Sequence, residues 1–221
     1  MVFLALDTTG KNCKIGLRKN GEDFYKIAPA ERRQTEVIFP LLDELLKSAN
    51  VEKKEINSVV VPVGPGSFTG VRLATTISRA IATALGANSV GISSIEALAV
   101  SAARMSGHSK IAVATDAKRD QVYFGAYSFE GTTDISTTVI RERISYPRDV
   151  EPFEKNDWAT AGDGWTRYGG QFPDAWEFCI DTSIYEIEIS DILQMGEKKV
   201  AKNKKESVEP NYLRHPVEKK T

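Results

Sequence analysis

The chain has few of the residues that bind transition metals or form disulfides. Its 221 residues include two cysteines, Cys13 and Cys179, and two histidines, His108 and His215. The cysteines indicate neither a disulfide framework nor a zinc knuckle, and we expect each to be a small core residue. Because the histidines are isolated from each other, the sequence lacks the paired ligands of a zinc peptidase.

Long hydrophobic runs are also missing. No stretch approaches the roughly 20 apolar residues of a membrane-spanning helix, and Met1-Val2-Phe3 carries no basic signal-peptide head. The sequence therefore predicts a cytoplasmic protein without membrane contact. Hydrophobic residues make up 41% of the chain and charged residues 27%, which is ordinary for a globular protein.

Charge does not single out a partner, because the formal net charge is −1. Residues 197–221 hold eight lysines or arginines against four glutamates, a local excess of +4. We interpret this excess as a solvated face, and a contact with RNA is the alternative.

A glycine-rich turn follows a β-branched run in the middle of the chain. Val59-Val60-Val61-Pro62-Val63 leads into Gly64-Pro65-Gly66-Ser67-Phe68-Thr69-Gly70-Val71-Arg72, which we call the signature loop. A helix that begins near Thr69 would present bare backbone amides to an anion. Val71-Arg72 replaces the lysine and hydroxyl residue of a phosphate loop, and Ser67 lacks the flanking glycines of a serine-hydrolase nucleophile. The alternatives are a closely packed strand-to-helix connection and an anion site.

Hydrophobic periodicity predicts the element order βββαβαβα for the first half. Amphipathic helices are expected over residues 34–49 and 69–85, with stripes broad enough to cover a sheet and also contact a partner helix. The polar segment 106–109 is the best boundary. We therefore predict an N-terminal lobe over residues 1–107 and a smaller C-terminal lobe over residues 108–221.

The second half repeats the pattern of the first. Asp7 and Asp116 each end a strand, and a glycine follows each aspartate nine positions later. Residues 158–164 repeat the strand-into-glycine pattern of residues 60–66. We interpret this as an internal duplication. An aspartate at such a turn can approach a metal-bound phosphate or accept hydrogen bonds from the turn's own amides.

The rest of the second half is less regular. We expect a strand over residues 137–145, a short helix over residues 147–153 and a loop with aromatic anchors over residues 165–178. A last helix is expected to start within residues 190–195, and residues 209–214 are expected to form an extended segment that docks on the body.

Five short stretches form an ordered set of motifs: Leu4-Ala5-Leu6-Asp7-Thr8, the signature loop, and residues 116–123, 162–165 and 210–214. Together they resemble the bacterial tRNA threonylcarbamoyladenosine biosynthesis proteins of the TsaB (YeaZ) type, over almost the whole length. The signature loop is the most specific part. The resemblance implies an α/β fold of two related actin-like (ribonuclease H-like) lobes, each a mixed sheet flanked by helices.

The same resemblance implies a non-catalytic subunit, with no catalytic residue, metal or cofactor of its own and with ATP used, if at all, by the complex. Members of the family bind TsaD, the paralogue that transfers a threonylcarbamoyl group to the adenosine beside the anticodon. The ATPase TsaE completes that complex. We accordingly expect contact with tRNA only through the complex, and a homodimer when the chain is alone.

By resemblance, the partner interface falls on the helices over residues 35–46 and 69–85. The side chains expected there are Thr35, Ile38, Phe39, Leu42, Leu45, Leu46, Leu73, Ile77 and Ile81. The chain departs from the family at Gln34, where many members have histidine, and at Val63, where a basic residue can stand. A shared ion or nucleotide contact is therefore not carried over to these two positions.

Asp7, Thr8 and Asp116 match positions where the family could keep remnants of nucleotide contacts. The alternative function depends on the same residues. Since Asp7 and Asp116 end matched strands, the chain could be an ATP-binding phosphotransferase of the actin-like class. A metallopeptidase is the third hypothesis, and the shortage of histidine argues against it.

Overall fold

Two five-stranded mixed sheets form the frame of the chain in the computed structural model, which describes residues 1–30, 33–130, 136–151, 157–176, 179–202 and 208–213. The strands of the first sheet are β1 (Val2–Asp7), β2 (Asn12–Lys19), β3 (Glu22–Pro29), β4 (Ile56–Pro62) and β5 (Asn88–Ile92). Their order is β3-β2-β1-β4-β5. The first three strands are antiparallel neighbours, whereas β4 and β5 run parallel to β1.

The second sheet has the same layout. Its strands are β6 (Lys110–Lys118), β7 (Gln121–Phe129), β8 (Ser136–Ser145), β9 (Ala159–Ala161) and β10 (Ile180–Asp181). Their order is β10-β9-β6-β7-β8, so each strand from β6 to β10 occupies the place of its counterpart from β1 to β5. The antiparallel and parallel pairings also correspond. The predicted duplication and the predicted class of two related mixed sheets are confirmed.

Over the residues that the structure describes, five α-helices connect and cover the sheets: α1 (Gln34–Ser48), α2 (Phe68–Leu85), α3 (Ser94–Ser106), α4 (Asp163–Tyr168) and α5 (Ile189–Ala201). The predicted order βββαβαβα is confirmed for the first half. Ser93 caps α3 by accepting a hydrogen bond from the backbone N of Glu96 at 3.0 Å. In the ranges given above, no helix is both long enough and apolar enough to cross a bilayer.

Each half of the chain contributes a helix that packs on the sheet of the other half. Helices α1 and α2 cover the outer face of the first sheet. Helix α3 packs on β6 and β7, whereas α5, from the end of the chain, packs on the first sheet. Both helices contribute to a central core that also contains Phe3 and Ile111. The predicted boundary between residues 107 and 108 falls between α3 and β6, and the division into lobes at that point stays a prediction.

The outer face of the second sheet differs from the prediction. In place of a loop over residues 165–178, the structure has α4 and two 3-10 turns, Gly169–Gln171 and Asp174–Trp176. The elements are too short to show a period, and their aromatic side chains hold them on the sheet. The ring centroids of Trp165 and Phe172 are 4.2 Å apart, and those of Trp165 and Trp176 are 4.9 Å apart.

Two further elements were predicted in this half, a short helix and the start of a last helix. The short helix predicted over residues 147–153 is a 3-10 turn, Pro147–Asp149, and residues 152 and 153 lie outside the described residues. The last helix starts within one residue of the predicted start, at Ile189, and reaches Ala201. Much of the basic excess in residues 197–221, together with Phe178 and Arg214, also lies outside the described part of the chain.

Candidate functional site

A cleft of about 690 Å³ lies between the two sheets. Strands β1 and β6 bring Asp7 and Asp116 to its lining, the signature loop contributes Gly66 and Ser67, and residues 183–188 form a further wall before α5. The fold thus brings together the two matched aspartates and the glycine-rich turn, which the sequence singled out separately.

Asp7 is held by its own turn. Its Oδ1 accepts hydrogen bonds from the backbone N of Thr9 at 2.8 Å and from Thr9 Oγ1 at 2.6 Å. The residue is only 4% exposed, and burial raises the pKa of the Asp7 carboxyl, although the bonds from Thr9 work in the other direction. Of the two predicted roles, the structure has the hydrogen bonds within the turn.

Thr8 lies beneath the signature loop instead of lining the cleft. It is buried, and its Oγ1 donates a hydrogen bond to the Gly70 carbonyl at 2.8 Å. A Cβ on Gly70 would overlap the carbonyl oxygen of Thr8, so α2 can approach β1 this closely only with glycine there. Thr8 and Gly70 therefore fix the start of α2 on the sheet.

Asp116 has more partners than Asp7. Its Oδ1 accepts from the backbone N of Lys118 at 2.7 Å and from the Tyr168 hydroxyl at 2.8 Å. Its Oδ2 pairs with Lys118 Nζ at 2.5 Å and with Arg167 Nε at 3.3 Å. Desolvation works to raise the pKa of Asp116, but the hydrogen bonds from Lys118 and Tyr168 outweigh it and hold the pKa below its ordinary value.

A buried lysine holds the far wall of the cleft. Lys14, opposite Asp7 in the β1–β2 pair, donates to the Ile187 carbonyl at 2.8 Å and pairs with Glu186 at 2.7 Å. These bonds join β2 to the segment that precedes α5. Lys14 could not be singled out from the sequence, because β2 also contains Arg18 and Lys19 and no local pattern sets Lys14 apart from them.

The signature loop is a closely packed connection at its first residue. Gly64 has φ +97°, and a Cβ there would lie 3.2 Å from the Asn211 carbonyl oxygen. Its backbone N donates to Ser94 Oγ at 3.1 Å, and its carbonyl accepts from the Ser94 backbone N at 2.9 Å. The Gly64–Pro65 peptide is cis. Residues 66–69 are exposed, and Ser67 caps α2 by accepting from the Gly70 backbone N at 3.3 Å.

Residues 208–213, the closing segment, dock on the body, as predicted for residues 209–214, and the structure places them beside the signature loop. The backbone N of Asn211 donates to the Val63 carbonyl at 2.7 Å, and its side-chain amide donates to Glu142 Oε2 at 3.2 Å. Val208 is buried in the core under α1 and α2. The segment is thereby tied to both halves of the chain.

Glu142 on β8 joins parts of the chain that are distant in sequence. Its Oε1 accepts hydrogen bonds from Ser93 Oγ and from the Tyr127 hydroxyl, while Oε2 accepts from Asn211. Burial raises the pKa of Glu142, against the opposing effect of the Ser93 and Tyr127 hydrogen bonds. Sequence reasoning missed this residue, because it stands between two arginines on a strand that reads as exposed.

Five of the nine side chains that the resemblance places in a partner interface lie in the chain's own core. They are Ile38, Leu42, Leu45, Leu46 and Ile77, each at most 7% exposed. The stripes of α1 and α2 cover the first sheet, so these side chains stabilise the fold and are not available to a partner. Leu73 and Ile81 are half-buried, and Thr35 and Phe39 are exposed. For these four residues the interface stays a prediction.

Besides Asp7 and Asp116, the carboxylates of Asp163, Glu186 and Glu188 line the cleft. Within the described ranges, no three histidine, cysteine, aspartate or glutamate side chains are placed to hold a metal ion together. Cys13 is buried in the core, and Cys179 is a half-buried free thiol on the opposite side of the second sheet.

Comparisons with known proteins agree on one family. The family model described as TsaD, tRNA N6-adenosine threonylcarbamoyltransferase, matches residues 27–214. The chain is 27% identical to the tRNA threonylcarbamoyladenosine biosynthesis protein TsaB of Haemophilus influenzae, with 98% of this chain and 95% of that protein covered. It is 26% identical to TsaB of Escherichia coli, with 98% and 96% covered. The solved structure of YeaZ from Pseudomonas aeruginosa matches with a TM-score of 0.86 at 29% identity, with 96% and 99% covered.

Proposed function

Since the chain belongs to the family of TsaD, tRNA N6-adenosine threonylcarbamoyltransferase, as a protein of the TsaB (YeaZ) type with an actin-like fold, we propose a role in tRNA threonylcarbamoyladenosine biosynthesis. In this role the chain is a non-catalytic subunit that binds a TsaD-type subunit together with TsaE. It has no cofactor of its own, it reaches tRNA only through the complex, and it works in the cytoplasm, where tRNA is modified.

The observation that carries the non-catalytic role is the engagement of the two matched aspartates of the cleft, Asp7 and Asp116. Phosphoryl transfer needs carboxylates that are free to position a metal ion or a nucleophile. Asp7 is occupied by Thr9, and Asp116 by Lys118, Tyr168 and Arg167. A cleft in which these two carboxylates serve the protein's own turns is better suited to a subunit whose reactive centre lies elsewhere.

The placement of α1 and α2 supports the partner contact. Strands β3 and β4 both end at the Asp7 end of the first sheet, so the helices that follow them, α1 and α2, both start from that end. Phe39 in α1 is 52% exposed, and Phe68 in α2 is 59% exposed. Exposed aromatic side chains on neighbouring helices are typical of a surface that a partner covers. We propose that a TsaD-type subunit covers it and that a second copy of the chain does so in its absence.

The test is association with the TsaD homologue of the same organism. We expect light scattering after gel filtration to give the mass of a complex for the mixture and of a dimer for the chain alone. Cells depleted of their TsaB should regain the tRNA modification when this chain is supplied. Failure to form a complex, together with failure to restore the modification, would reject the proposed function.

One observation favours the phosphotransferase as the second candidate. The cleft, at about 690 Å³, falls within the range of roughly 300–1,000 Å³ that small-molecule sites occupy. Titration calorimetry of the isolated chain with Mg-ATP separates the two candidates. A Kd below roughly 100 μM, or about −5.5 kcal/mol, accompanied by hydrolysis, would favour the enzyme.

A further inference from the structure

An arginine at the end of the signature loop packs against two exposed aromatic rings. The guanidinium carbon of Arg72 is 3.8 Å from the ring centroid of Phe68 and 5.5 Å from that of Tyr212. Its Nε donates to the Tyr212 hydroxyl at 2.6 Å. We call Phe68, Arg72 and Tyr212 the aromatic–arginine cluster. It forms only because the closing segment brings Tyr212 to the start of α2.

Arg72 keeps most of its hydrogen-bonding capacity. Guanidinium carries five N–H donors, and the bond to Tyr212 uses the Nε–H. Among the ion pairs of the described residues none includes Arg72, whereas Arg79, two turns further along α2, pairs with Glu209 at 3.0 Å. The terminal nitrogens of Arg72 therefore form a planar fork with no carboxylate on it.

The cluster is ordered although it is exposed. Phe68 is 59% exposed and Tyr212 46% exposed, and their ring centroids are 5.9 Å apart. Tyr212 is held in place through its neighbour Asn211, which bonds to Val63 and Glu142. Tyrosine and arginine are enriched among the residues that dominate binding energy, and a side chain that is already positioned loses less entropy on binding.

We propose that the aromatic–arginine cluster binds a protein partner that presents a carboxylate among apolar side chains. The carboxylate would accept the Arg72 fork, and the apolar side chains would cover the rings of Phe68 and Tyr212. The cluster is continuous with α2, a helix that contains no aspartate or glutamate to compete for Arg72. This inference rests on the proposed function, in which the partner is the TsaD-type subunit.

Charge favours a protein over RNA at this surface. RNA and DNA binding depends on several cations that neutralise successive phosphates. Here Arg79 is already paired, which leaves one unpaired arginine on the described part of α2. One cation beside two aromatic rings suits a protein surface that presents a single carboxylate among apolar side chains.

The test measures the affinity of full-length variants for the TsaD-type subunit of the same organism by titration calorimetry. We expect Arg72→Ala to weaken binding at least about tenfold, as for an interface hot spot. Arg72→Lys should also weaken binding, by about threefold or more, because lysine keeps the charge but not the planar fork. Arg148→Ala is the matched control, since Arg148 lies 4.9 Å from the exposed Tyr146 ring in the other half of the chain. It should change the affinity less than about twofold.

A second variant keeps the test valid if Arg72→Ala lowers the melting temperature. Tyr212→Phe keeps the ring and removes only the hydroxyl that accepts from Arg72, and we expect about threefold weaker binding with unchanged melting. Wild-type chain that does not bind the subunit would overturn the proposed function. If the wild-type chain binds and the affinities of Arg72→Ala and Tyr212→Phe both equal that of Arg148→Ala, the proposed role of the cluster would be overturned and the proposed function would not. Loss of tRNA binding by the assembled complex, with subunit affinity unchanged, would assign the cluster to RNA and also overturn it.

Discussion

The two halves of the chain share a sheet and differ in what covers it. Gly64 and Gly162 follow equivalent strands with nearly the same backbone angle, φ +97° and +99°. The helix after the first glycine, α2, has 18 residues, whereas its counterpart α4 has six. In the second half, the aromatic rings of Trp165 and Trp176 take over the covering of the sheet. The two halves share the frame, and the difference lies on the outer faces, where α1 and α2 have 15 and 18 residues and α4 has six.

The two aspartates differ in a related way. Asp7 is buried with few partners, and its pKa is raised, whereas Asp116 collects cations and has a lowered pKa. Equivalent positions in a duplicated fold thus reach opposite electrostatic outcomes, because Asp116 is bonded by Lys118 from its own turn and by Tyr168 from α4, whereas Asp7 is bonded by Thr9. Tyr168 and Arg167 belong to α4, and the first half places no counterpart of them beside Asp7 among the partners described.

The largest expected effect tests whether the aromatic cover replaces helices. Trp176 lies 4.9 Å from Trp165 and 6.1 Å from Phe124 between ring centroids. We expect Trp176→Ala to cost about 4 kcal/mol and Leu45→Ala in α1 about 3 kcal/mol, as measured by urea denaturation. A cost below about 1 kcal/mol for Trp176→Ala would mean that the second sheet does not depend on this cover.

The second prediction concerns how closely the following helices approach the sheets. Gly70→Ala should cost about 2 to 3 kcal/mol, because the added Cβ would overlap the Thr8 backbone and displace α2. Gly164→Ala, with its Cβ 2.8 Å from the Ala114 carbonyl oxygen, should cost less, since α4 is short and can shift more easily.

Gly66→Ala is the control for these glycine variants, because the atom nearest to its added Cβ is 3.9 Å away. It should change the free energy of unfolding by less than about 0.5 kcal/mol in the same urea denaturation. Equal costs at positions 66 and 70 would show that close packing on Thr8 is unimportant.

The third prediction is that removing the charge of Asp7 and removing the charge of Asp116 change the stability of the folded chain at pH 7 in opposite directions. The raised pKa of Asp7 means that its ionised form is disfavoured in the folded state. The protonated carboxyl therefore contributes stability that is fully present below pH 3.8 and is lost as pH rises through the folded pKa. Asp7→Asn keeps an acceptor for Thr9 and should therefore stabilise the chain at pH 7.

The lowered pKa of Asp116 has the reverse consequence. The ionised Asp116 carboxylate contributes stability to the folded chain that is present above pH 3.8 and is lost as pH falls through the folded pKa. Asp116→Asn should destabilise the chain at pH 7 by about 1 kcal/mol, a modest value because Lys118 and Arg167 are solvent-exposed. Melting temperatures between pH 3 and 8 measure both effects, and a shift of the same sign for the two variants at pH 7 would contradict the contrast.

The smallest expected effect on stability separates fold from interface. Phe39→Ala should change the free energy of unfolding by less than about 0.5 kcal/mol, because the ring is 52% exposed. It should nevertheless weaken binding to the TsaD-type subunit, whereas Tyr146→Ala, an exposed ring in the second half, should not. Equal affinities for the two variants in calorimetry would remove the distinction between the halves.

Much of the local structure could be predicted from the sequence, since its causes are local. The β1-to-α3 order and the helices predicted over residues 34–49 and 69–85 follow from periodicity, which acts within a few residues. Helix α4 could not be predicted in this way, because a six-residue element held by aromatic packing has no period of its own.

The candidate site was predicted in its parts but not in its bonds. Asp7, Asp116 and the signature loop stand out in the sequence and meet at one cleft. The sequence could not tell that Lys14 and Glu142 would hold the surrounding segments. Their partners are contributed by distant segments of the chain, so no local pattern records the contact.

By itself, the sequence determined the periods of the strands and helices, the position of the glycine turn and the repeat of a strand–aspartate unit, because each depends on neighbouring residues. Only the tertiary structure decided that α3 and α5 lie between the sheets, that the leucines of α1 face the chain's own core, and that Tyr212 meets Arg72. Those outcomes depend on which surfaces the folded chain brings together, and the hydrophobic stripe of a helix does not specify what will cover it.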